Sequence, residues 1–181
     1  MARKTHKTAV VIIPPMDLWQ PIQSIRKKYD RQFRRWMPHI TMIYPFRPID
    51  EFEVIYKKFV EVCRNVEPFE VEFSKFNYFH HGGESYTVWL EPNPRDRIVK
   101  LQDMLQKVVP DCDDVRKFKD GFTPHLSVGQ VRGREELEKL LVNLQGGWIP
   151  IKFEVKSVFM IWRNDPPDDI FRVWGEVKFR C

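Results

Sequence analysis

The stretch MPHITM at residues 37–42 has a near copy in TPHLSV at residues 123–128. Each stretch places a histidine after a proline and follows it with an apolar residue, a hydroxyl residue and a second apolar residue. Side chains alternate between the two faces of a β-strand, so His39 shares a face with Thr41, and the second stretch repeats this arrangement. The pattern predicts two strands that bury their apolar residues and present an imidazole and a hydroxyl on the other side.

Two such stretches are difficult to attribute to chance. In a chain with five histidines, roughly 0.02 Pro-His-x-Ser/Thr matches are expected at random. A third pattern, His6 to Thr8, lacks the proline and stands at the start of the first predicted strand, so we set it aside. If the two strands meet, one small volume is enclosed by two acid–base groups and two hydroxyl donors, namely His39, Thr41, His125 and Ser127.

The composition fits a globular protein with an anionic partner. A chain of 181 residues that is 43% hydrophobic can bury a core within a single domain. Thirty Lys and Arg against 25 Asp and Glu give a net charge of +5 and a pI near 9.1. This balance favours a nucleotide, RNA or an acidic surface as the partner.

Cysteine usage and apolar runs indicate the compartment. The three cysteines are widely spaced, so neither a disulfide framework nor a cysteine zinc site is predicted. The first apolar run has about six residues, fewer than the roughly 7 to 15 of a signal-peptide core, and no segment approaches the roughly 20 apolar residues that span a bilayer. We therefore expect a soluble cytoplasmic protein, with the nucleus as the alternative location and no membrane partner.

Apolar periodicity alternates between strand-like and helix-like segments. Period-two and β-branched runs predict strands over residues 8–14, 40–46, 69–79, 85–91, 126–131, 151–161 and 171–179. Stripes at helical spacing predict helices over residues 17–30, 49–63, 93–109 and 135–144. No low-complexity linker divides the series, and a basic, aromatic segment precedes each Pro-His motif. We therefore expect one domain with two similar halves.

The paired motifs, HITM and HLSV, resemble those of the 2H phosphoesterase superfamily, which includes 2'-5' RNA ligase-like proteins and cyclic phosphodiesterases. The segments IRKKYD and FTPHLSVGQ are particularly similar to the small YjcG-type branch, as are the later FEVKSVFMIWR and RVWGEVKF. The resemblance covers most of the chain. This chain departs from many relatives at Gln130, because they carry a basic residue at that position. Arg132 is the nearest candidate to replace the missing charge.

The resemblance implies an α+β class and a bilobed fold, in which two antiparallel sheets surround a central cleft with helices on the outside. It implies that residues 1–181 form a single bilobed domain of this type. It also implies that His39 and His125 are catalytic, and that Thr41 and Ser127 hold phosphate oxygens in the cleft.

Opening of a 2',3'-cyclic phosphate needs a base that takes a proton from water and an acid that protonates the departing ribose oxygen. Two histidines suit these roles, because one can be neutral while the other is charged near neutral pH. The sequence leaves open which histidine is the base. Aromatic rings that offer a stacking surface for a nucleobase and a cation for phosphate are lower-ranked candidates: Tyr44, Phe79, Trp162 and Arg163.

Rival classes have less support. A metal-dependent hydrolase would need a cluster such as His-Glu-x-x-His, and an RNA-recognition module would show its RNP1 pattern; the sequence has neither. We predict a metal-independent phosphodiesterase without a cofactor, acting as a monomer on a nucleotide or RNA with a cyclic or 2'-linked phosphate. Cleavage of 2'-5' linkages, 2'-5' ligation and non-catalytic RNA binding remain the alternatives.

Overall fold

Eight strands of a computed structural model, which describes residues 3–181, form two four-stranded antiparallel sheets. The strands in chain order are β1 (Thr8–Ile12), β2 (Ile40–Ile43), β3 (Phe69–His80), β4 (Ser85–Asn93), β5 (Leu126–Arg132), β6 (Ile151–Val155), β7 (Ser157–Trp162) and β8 (Arg172–Lys178). The first sheet has the order β2-β1-β7-β8 and the second has the order β5-β4-β3-β6.

The two motif strands occupy equivalent places in the two sheets. β2 is an edge strand of the first sheet, β5 is an edge strand of the second, and their Cα atoms approach within 8 Å of one another. The two edges therefore meet where the His-x-hydroxyl motifs lie. The predicted fold of two antiparallel sheets, each contributing one motif, is confirmed.

Within residues 3–181, four α-helices accompany the sheets, namely α1 (Trp19–Tyr29), α2 (Phe52–Cys63), α3 (Asp96–Gln106) and α4 (Arg134–Gly147). Their buried residues recur at helical spacing, as in α2, where Phe52, Ile55, Phe59 and Cys63 point to the core. α1 packs against β5, so a helix from the first half of the chain covers a strand from the second half.

The segment predicted as one strand over residues 151–161 is two strands that belong to different sheets, so this prediction is wrong. β6 pairs with β3 in the second sheet, and β7 pairs with β1 and β8 in the first. The chain passes from one sheet to the other at Lys156. The alternation of buried Ile151, Phe153 and Val155 continues to Ser157 and ends at Val158, which is buried directly after it.

Buried apolar side chains of both sheets form one continuous core. Val10 and Met42 of the first sheet belong to the same cluster as Val71 and Val88 of the second. We therefore propose that the whole chain is one bilobed domain. A smaller cluster lies on the opposite face of the first sheet and contains Ala9, Val11, Ile161 and Phe171. No helix within residues 3–181 has both the length and the apolar character needed to cross a bilayer.

Candidate active site

The two motif histidines are held by the same local hydrogen bond. His39 Nδ1 lies 2.7 Å from the carbonyl oxygen of Met37, and His125 Nδ1 lies 2.7 Å from the carbonyl oxygen of Thr123. A carbonyl can only accept, so Nδ1 is the donor in both rings. In each neutral imidazole the lone pair is therefore on Nε2, which can accept a proton. Once protonated, the same Nε2 can donate a proton, so one ring can act as the base and the other as the acid.

Strand pairing places each hydroxyl beside its histidine. Thr41 is in register with Val11, a member of the smaller apolar cluster, against which the segment before His39 also packs. Ser127 is in register with Trp89, whose ring lies 5.8 Å from the His125 ring, centroid to centroid. The alternation predicted from the two motifs thus positions one imidazole and one hydroxyl on the cleft side of each edge strand.

His39 is covered by an aromatic ring on one side. The Trp36 ring stacks on the imidazole at 4.5 Å with an interplanar angle of 16°. The pKa of His39 is lowered to about 4, mainly by burial and to a smaller extent by the charges of Arg26 and His125, while the Met37 carbonyl and Asp30 oppose this shift. His39 is therefore neutral over most of the pH range, and the two imidazoles are close enough to interact electrostatically.

His125 lies between aromatic edges. The Phe79 ring meets it at 4.8 Å and 90°, and Trp89 lies on another side. Burial lowers the pKa of His125 below its usual 6.5, and the hydrogen bond to the Thr123 carbonyl opposes this effect. Both histidines thus favour the neutral form in the free protein.

A buried ion pair between Arg26 and Asp30 connects β5 to the segment that carries Trp36, the residue that covers His39. Arg26 donates to the Asp30 carboxylate at 2.8 Å, with only 2% and 3% of the two side chains exposed, and donates to the Trp36 carbonyl at 2.9 Å. Gln130 of β5 donates to Asp30 at 3.2 Å and accepts from the Arg31 backbone N–H at 2.9 Å. The Gln130 amide is therefore a brace between the two halves of the chain.

Glycine is required beside this brace. A Cβ atom at Gly129 would lie 2.4 Å from the Cβ atom of Tyr29, a separation that real Cβ atoms do not adopt. α1 can therefore approach β5 closely only because position 129 has no side chain. Arg132, the candidate replacement for a basic residue at Gln130, stands at the exposed end of β5.

A second ion-pair cluster fixes the Trp36 ring. The carboxylate of Asp169 is almost fully buried and accepts from Arg34 and Arg35, the latter at 2.6 Å. These hydrogen bonds, that from Arg34 first, lower the pKa of Asp169 to about 2. The backbone N–H of Phe171 donates to the Arg35 carbonyl at 2.9 Å, and the Phe171 ring lies 3.9 Å from Trp36. We call Arg34, Arg35, Asp169 and Phe171 the Trp36 clamp.

Comparison with known proteins decides the family. A family model described as the 2'-5' RNA ligase superfamily matches residues 14–167. The chain belongs to this superfamily. The resemblance to the 2H phosphoesterases seen in the paired motifs is therefore confirmed.

Relatives of this superfamily member are named provisionally as phosphoesterases. One, from Halalkalibacterium halodurans, is 28% identical over 158 residues, which is 86% of this chain and 88% of the relative. Another, from Geobacillus kaustophilus, is 27% identical over 125 residues, or 68% of this chain and 69% of the relative.

Solved structures share the fold of this superfamily member. TT0787 of Thermus thermophilus superposes with a TM-score of 0.65 at 16% identity, covering 96% of this chain and 98% of its own. LigT of Escherichia coli, crystallised with 3'-AMP, superposes with a TM-score of 0.63 at 14% identity, covering 97% and 98% of the two chains.

Three of the four lower-ranked candidates lie near the two histidines or the residues that cover them, and the fourth packs against the main core. Phe79 contacts His125, and Tyr44 packs edge-on against Trp36 at 5.2 Å. The Arg163 guanidinium lies 5.6 Å from the centre of the Phe171 ring, which belongs to the Trp36 clamp. Trp162 is not brought to this group.

Strand register explains the position of Trp162. Trp162 pairs with Thr8. Val10 and Ile12, which alternate with Thr8 along β1, point into the main core, and the Trp162 ring packs against the same core. Arg172 lies over the ring at 5.9 Å. Among its strand neighbours, Ile161 faces the cleft side instead.

The residues that cover His39, namely Trp36 and the Trp36 clamp, were not predicted from the sequence. Trp36 stands three residues before His39, and the arginines beside it had the appearance of a solvated basic run. Their partner Asp169 is more than 130 residues away in the chain, so no local pattern indicates the pairing. Within residues 3–181, no group of three or more His, Cys, Asp or Glu side chains is placed to hold a metal ion.

Removal of the Asp169 carboxylate is expected to loosen Trp36 and expose His39 to water. In Asp169→Asn, the pKa of His39 should rise from about 4 toward 6.5, and turnover should fall by about tenfold through loss of positioning. The pKa can be followed by NMR of the imidazole carbon.

The neighbouring residue supplies a matched control for this substitution. Asp168 is also an aspartate paired with an arginine, Arg172, but it is exposed. Asp168→Asn should leave the pKa of His39 unchanged. Equal effects of the two substitutions would show that the Trp36 clamp does not act on His39.

Proposed function

We propose that this chain is a metal-independent phosphoesterase that hydrolyses cyclic phosphate or phosphodiester bonds of RNA ends or small nucleotides by two-histidine acid–base catalysis. The observation that carries the proposal is the matched pair of imidazoles. His39 and His125 immediately precede the neighbouring edge strands β2 and β5, have the same Nδ1 hydrogen bond and interact electrostatically. A reaction that needs an acid and a base on opposite sides of phosphorus fits this arrangement.

In the proposed reaction, Nε2 of one histidine takes a proton from water, which attacks phosphorus. Nε2–H of the other histidine gives a proton to the departing ribose oxygen, so each ring ends in the protonation state in which the other began. Thr41 and Ser127 donate to the non-bridging oxygens, where charge develops in the transition state. We assign the base to His39, because burial and the Arg26 charge favour its neutral form.

Nucleotides are supported as ligands by the structural relatives. LigT of Escherichia coli was crystallised with 3'-AMP, with ATP and with NADP+. The excess of Lys and Arg over Asp and Glu in the present chain also favours an anionic ligand. The family match favours a second candidate function, which is cleavage or formation of 2'-5' linkages in the same cleft.

A substrate panel in excess EDTA tests the proposal. We expect turnover of 2',3'-cyclic mononucleotides, or of RNA with a 2',3'-cyclic end, at the same rate with and without the chelator, because two histidines supply acid and base without a metal. Products can be identified by phosphorus NMR. Turnover of 2'-5' oligoadenylate alone would select the second candidate, and loss of turnover in EDTA that one divalent ion restores would overturn the mechanism.

The pH dependence follows from the two lowered pKa values. The base acts when neutral, so the rate should fall only when pH drops toward the His39 pKa of about 4. The acid acts when protonated, so the rate should fall as pH rises past the His125 pKa, which burial holds below 6.5. The maximum of kcat/KM is therefore expected on the acidic side of neutrality.

Substrate should move this maximum in a defined direction. The negative charge of a bound phosphate favours imidazolium and raises both pKa values, so the maximum of kcat should lie at a higher pH than that of kcat/KM. Steady-state rates measured across the pH range check both statements. A kcat/KM that still rises above about pH 8 would contradict them, since it would indicate hydroxide or metal-bound water as the nucleophile.

A further inference from the structure

A cavity of about 540 Å³ lies at one end of the first sheet, where β1 begins and β7 ends. Thr8 and Trp162, which pair across these two strands, both line it. Pro48 and Ile49, from the segment after β2, add apolar surface. A volume of this order is typical of sites that bind small organic ligands. We call this cavity the basic pocket, for the charges described next.

The basic pocket has more positive than negative side chains around it. Among the described residues, its charged lining consists of Arg3, Lys4, Lys7, Arg163, Asp50 and Asp165. The pair of Arg3 and Asp50 is 4.0 Å long, and its side chains are 75% and 74% exposed. Ion pairs that are so open to water contribute little. The excess of two cations therefore favours an anionic ligand.

Arg163 is the cation that is most available to a ligand. The other three lining cations each lie within 4.0 Å of a carboxylate. Within residues 3–181, Arg163 has no carboxylate partner, and its guanidinium donates to the backbone carbonyl of Asn164 at 3.0 Å. An arginine is always charged and suits the geometry of a phosphate. The lining thus includes one guanidinium whose charge is not neutralised by the protein.

A run of contacts leads from the catalytic histidines to the basic pocket. Trp36 stacks on His39 at 4.5 Å, and the Phe171 ring lies 3.9 Å from Trp36. The Arg163 guanidinium follows, at 5.6 Å from Phe171. A ligand that extends from His39 along this face of the first sheet therefore reaches Arg163, and with it the pocket.

Strand register gives the spacing between the two places. His39 immediately precedes Ile40, which pairs with Ile12 at the end of β1, whereas the basic pocket starts at Thr8. Four residues of an extended strand span roughly 13 Å. The nucleotide whose phosphate lies between the histidines is thus separated from the pocket, and the next unit of an RNA chain can occupy it.

We propose that the basic pocket holds the nucleotide on the 5' side of the reacting one, so that the substrate is an RNA 3' end rather than a free mononucleotide. This inference rests on the proposed function for the position of the reacting phosphate. Arg163 and Lys7 bind the phosphate that joins the two nucleotides. The second base packs against the surface formed by Pro48, Ile49 and Trp162. Since every base has an apolar face, binding depends on chain length and little on sequence.

Calorimetric titration tests the pocket without requiring turnover. The ligands are uridine 3'-monophosphate and the uridine di- and trinucleotides that end in a 3'-phosphate. The trinucleotide should bind about 10- to 100-fold more tightly than the mononucleotide, the gain expected from one stacked base and one neutralised phosphate. Most of this gain should appear with the dinucleotide. The kcat/KM values of the corresponding 2',3'-cyclic substrates should follow the same order.

Two substitutions and two matched controls assign the length preference to the pocket. Arg163→Gln and Lys7→Gln should each reduce the ratio of trinucleotide to mononucleotide affinity severalfold. A lost phosphate contact should also reduce the slope of log affinity against log salt concentration by about 0.7. Arg97→Gln is the control for the arginine, because Arg97 also lies over a phenylalanine ring, at 5.1 Å, and bonds a backbone carbonyl. Lys139→Gln is the control for the lysine, because Lys139 is exposed and pairs with a carboxylate at 2.9 Å.

Both controls should retain the wild-type ratio and slope, with thermal unfolding recorded for every variant. Equal affinities for the mononucleotide and the trinucleotide would overturn the inference. Two mononucleotides bound per chain, with no gain for the trinucleotide, would assign the pocket to a free nucleotide and overturn it too. A length preference that survives both Arg163→Gln and Lys7→Gln would contradict it as well, since the chain would then bind elsewhere.

The failure of this inference can be told apart from the failure of the proposed function. Length-dependent binding that Arg163→Gln and Lys7→Gln reduce, without turnover of any cyclic substrate, would support the pocket and reject the proposed function. Turnover of cyclic substrates at a kcat/KM that is independent of chain length, together with equal affinities, would support the proposed function and reject the pocket.

Discussion

His39→Ala and His125→Ala are each expected to lower kcat by about 10²- to 10⁴-fold, the contribution of a positioned acid or base. Both side chains are partly exposed at the cleft, and each has one hydrogen bond, to a carbonyl of its own loop. The two variants should therefore remain folded. Turnover of a 2',3'-cyclic nucleotide and thermal unfolding, measured on the same preparations, check the expectation.

The double variant tests whether the two histidines act in one step. If proton removal and proton donation are concerted, removal of the second imidazole should cost much less than removal of the first. Two residues with independent structural roles would instead lower the melting temperature and leave the rate nearly proportional to the folded fraction. His80→Ala is a suitable control, because His80 lies at the exposed end of a hairpin and bonds the Gly83 carbonyl.

An activated leaving group separates the base from the acid. p-Nitrophenolate departs without protonation, so a nucleotide p-nitrophenyl phosphodiester should restore much of the rate to a variant that lacks the acid. We expect this rescue for His125→Ala and not for His39→Ala. The reverse result would exchange the two roles, and near wild-type turnover of the cyclic substrate by a folded His125→Ala protein would contradict the proposed mechanism altogether.

The two motifs could be predicted from the sequence because their signal is local. The alternation of His39 with Thr41, and of His125 with Ser127, depends only on strand geometry, which two-residue periodicity reports directly. Periodicity also indicates the strands and helices, as shown by their agreement with the structure at most segments. It indicates nothing about which sheet a strand joins, so the transfer between sheets at Lys156 was not predicted.

The missed features depend on contacts between distant segments. The Asp169 carboxylate meets Arg34 and Arg35 because two loops cover the same face of the first sheet. Gln130 is a comparable case, since its amide bonds Asp30 and Arg31 across the two halves. A neutral amide can both donate and accept, which explains how Gln130 serves as a brace at a position where a cation would only donate.

The motif hydroxyls are expected to have the next largest effect. In the proposed mechanism, Thr41→Val and Ser127→Ala each remove one donor to the developing charge, and loss of one such donor costs about 10²- to 10³-fold in comparable sites. Valine retains the shape of threonine, and both positions are only partly buried, so stability should change little. The loss should appear in kcat rather than in KM, since the donors bind the transition state more strongly than the ground state.

Two positions on β4 provide matched controls for these substitutions. Thr87→Val removes a hydroxyl on the same face of the second sheet, where its oxygen bonds His81 at 2.7 Å, and Ser85→Ala removes an exposed serine from the start of the strand. Neither residue belongs to a motif, so both variants should keep wild-type kcat. If Thr41→Val and Ser127→Ala match these controls, the hydroxyls make no contact with the reacting phosphate, and strand alternation would explain their position beside the histidines without any catalytic role.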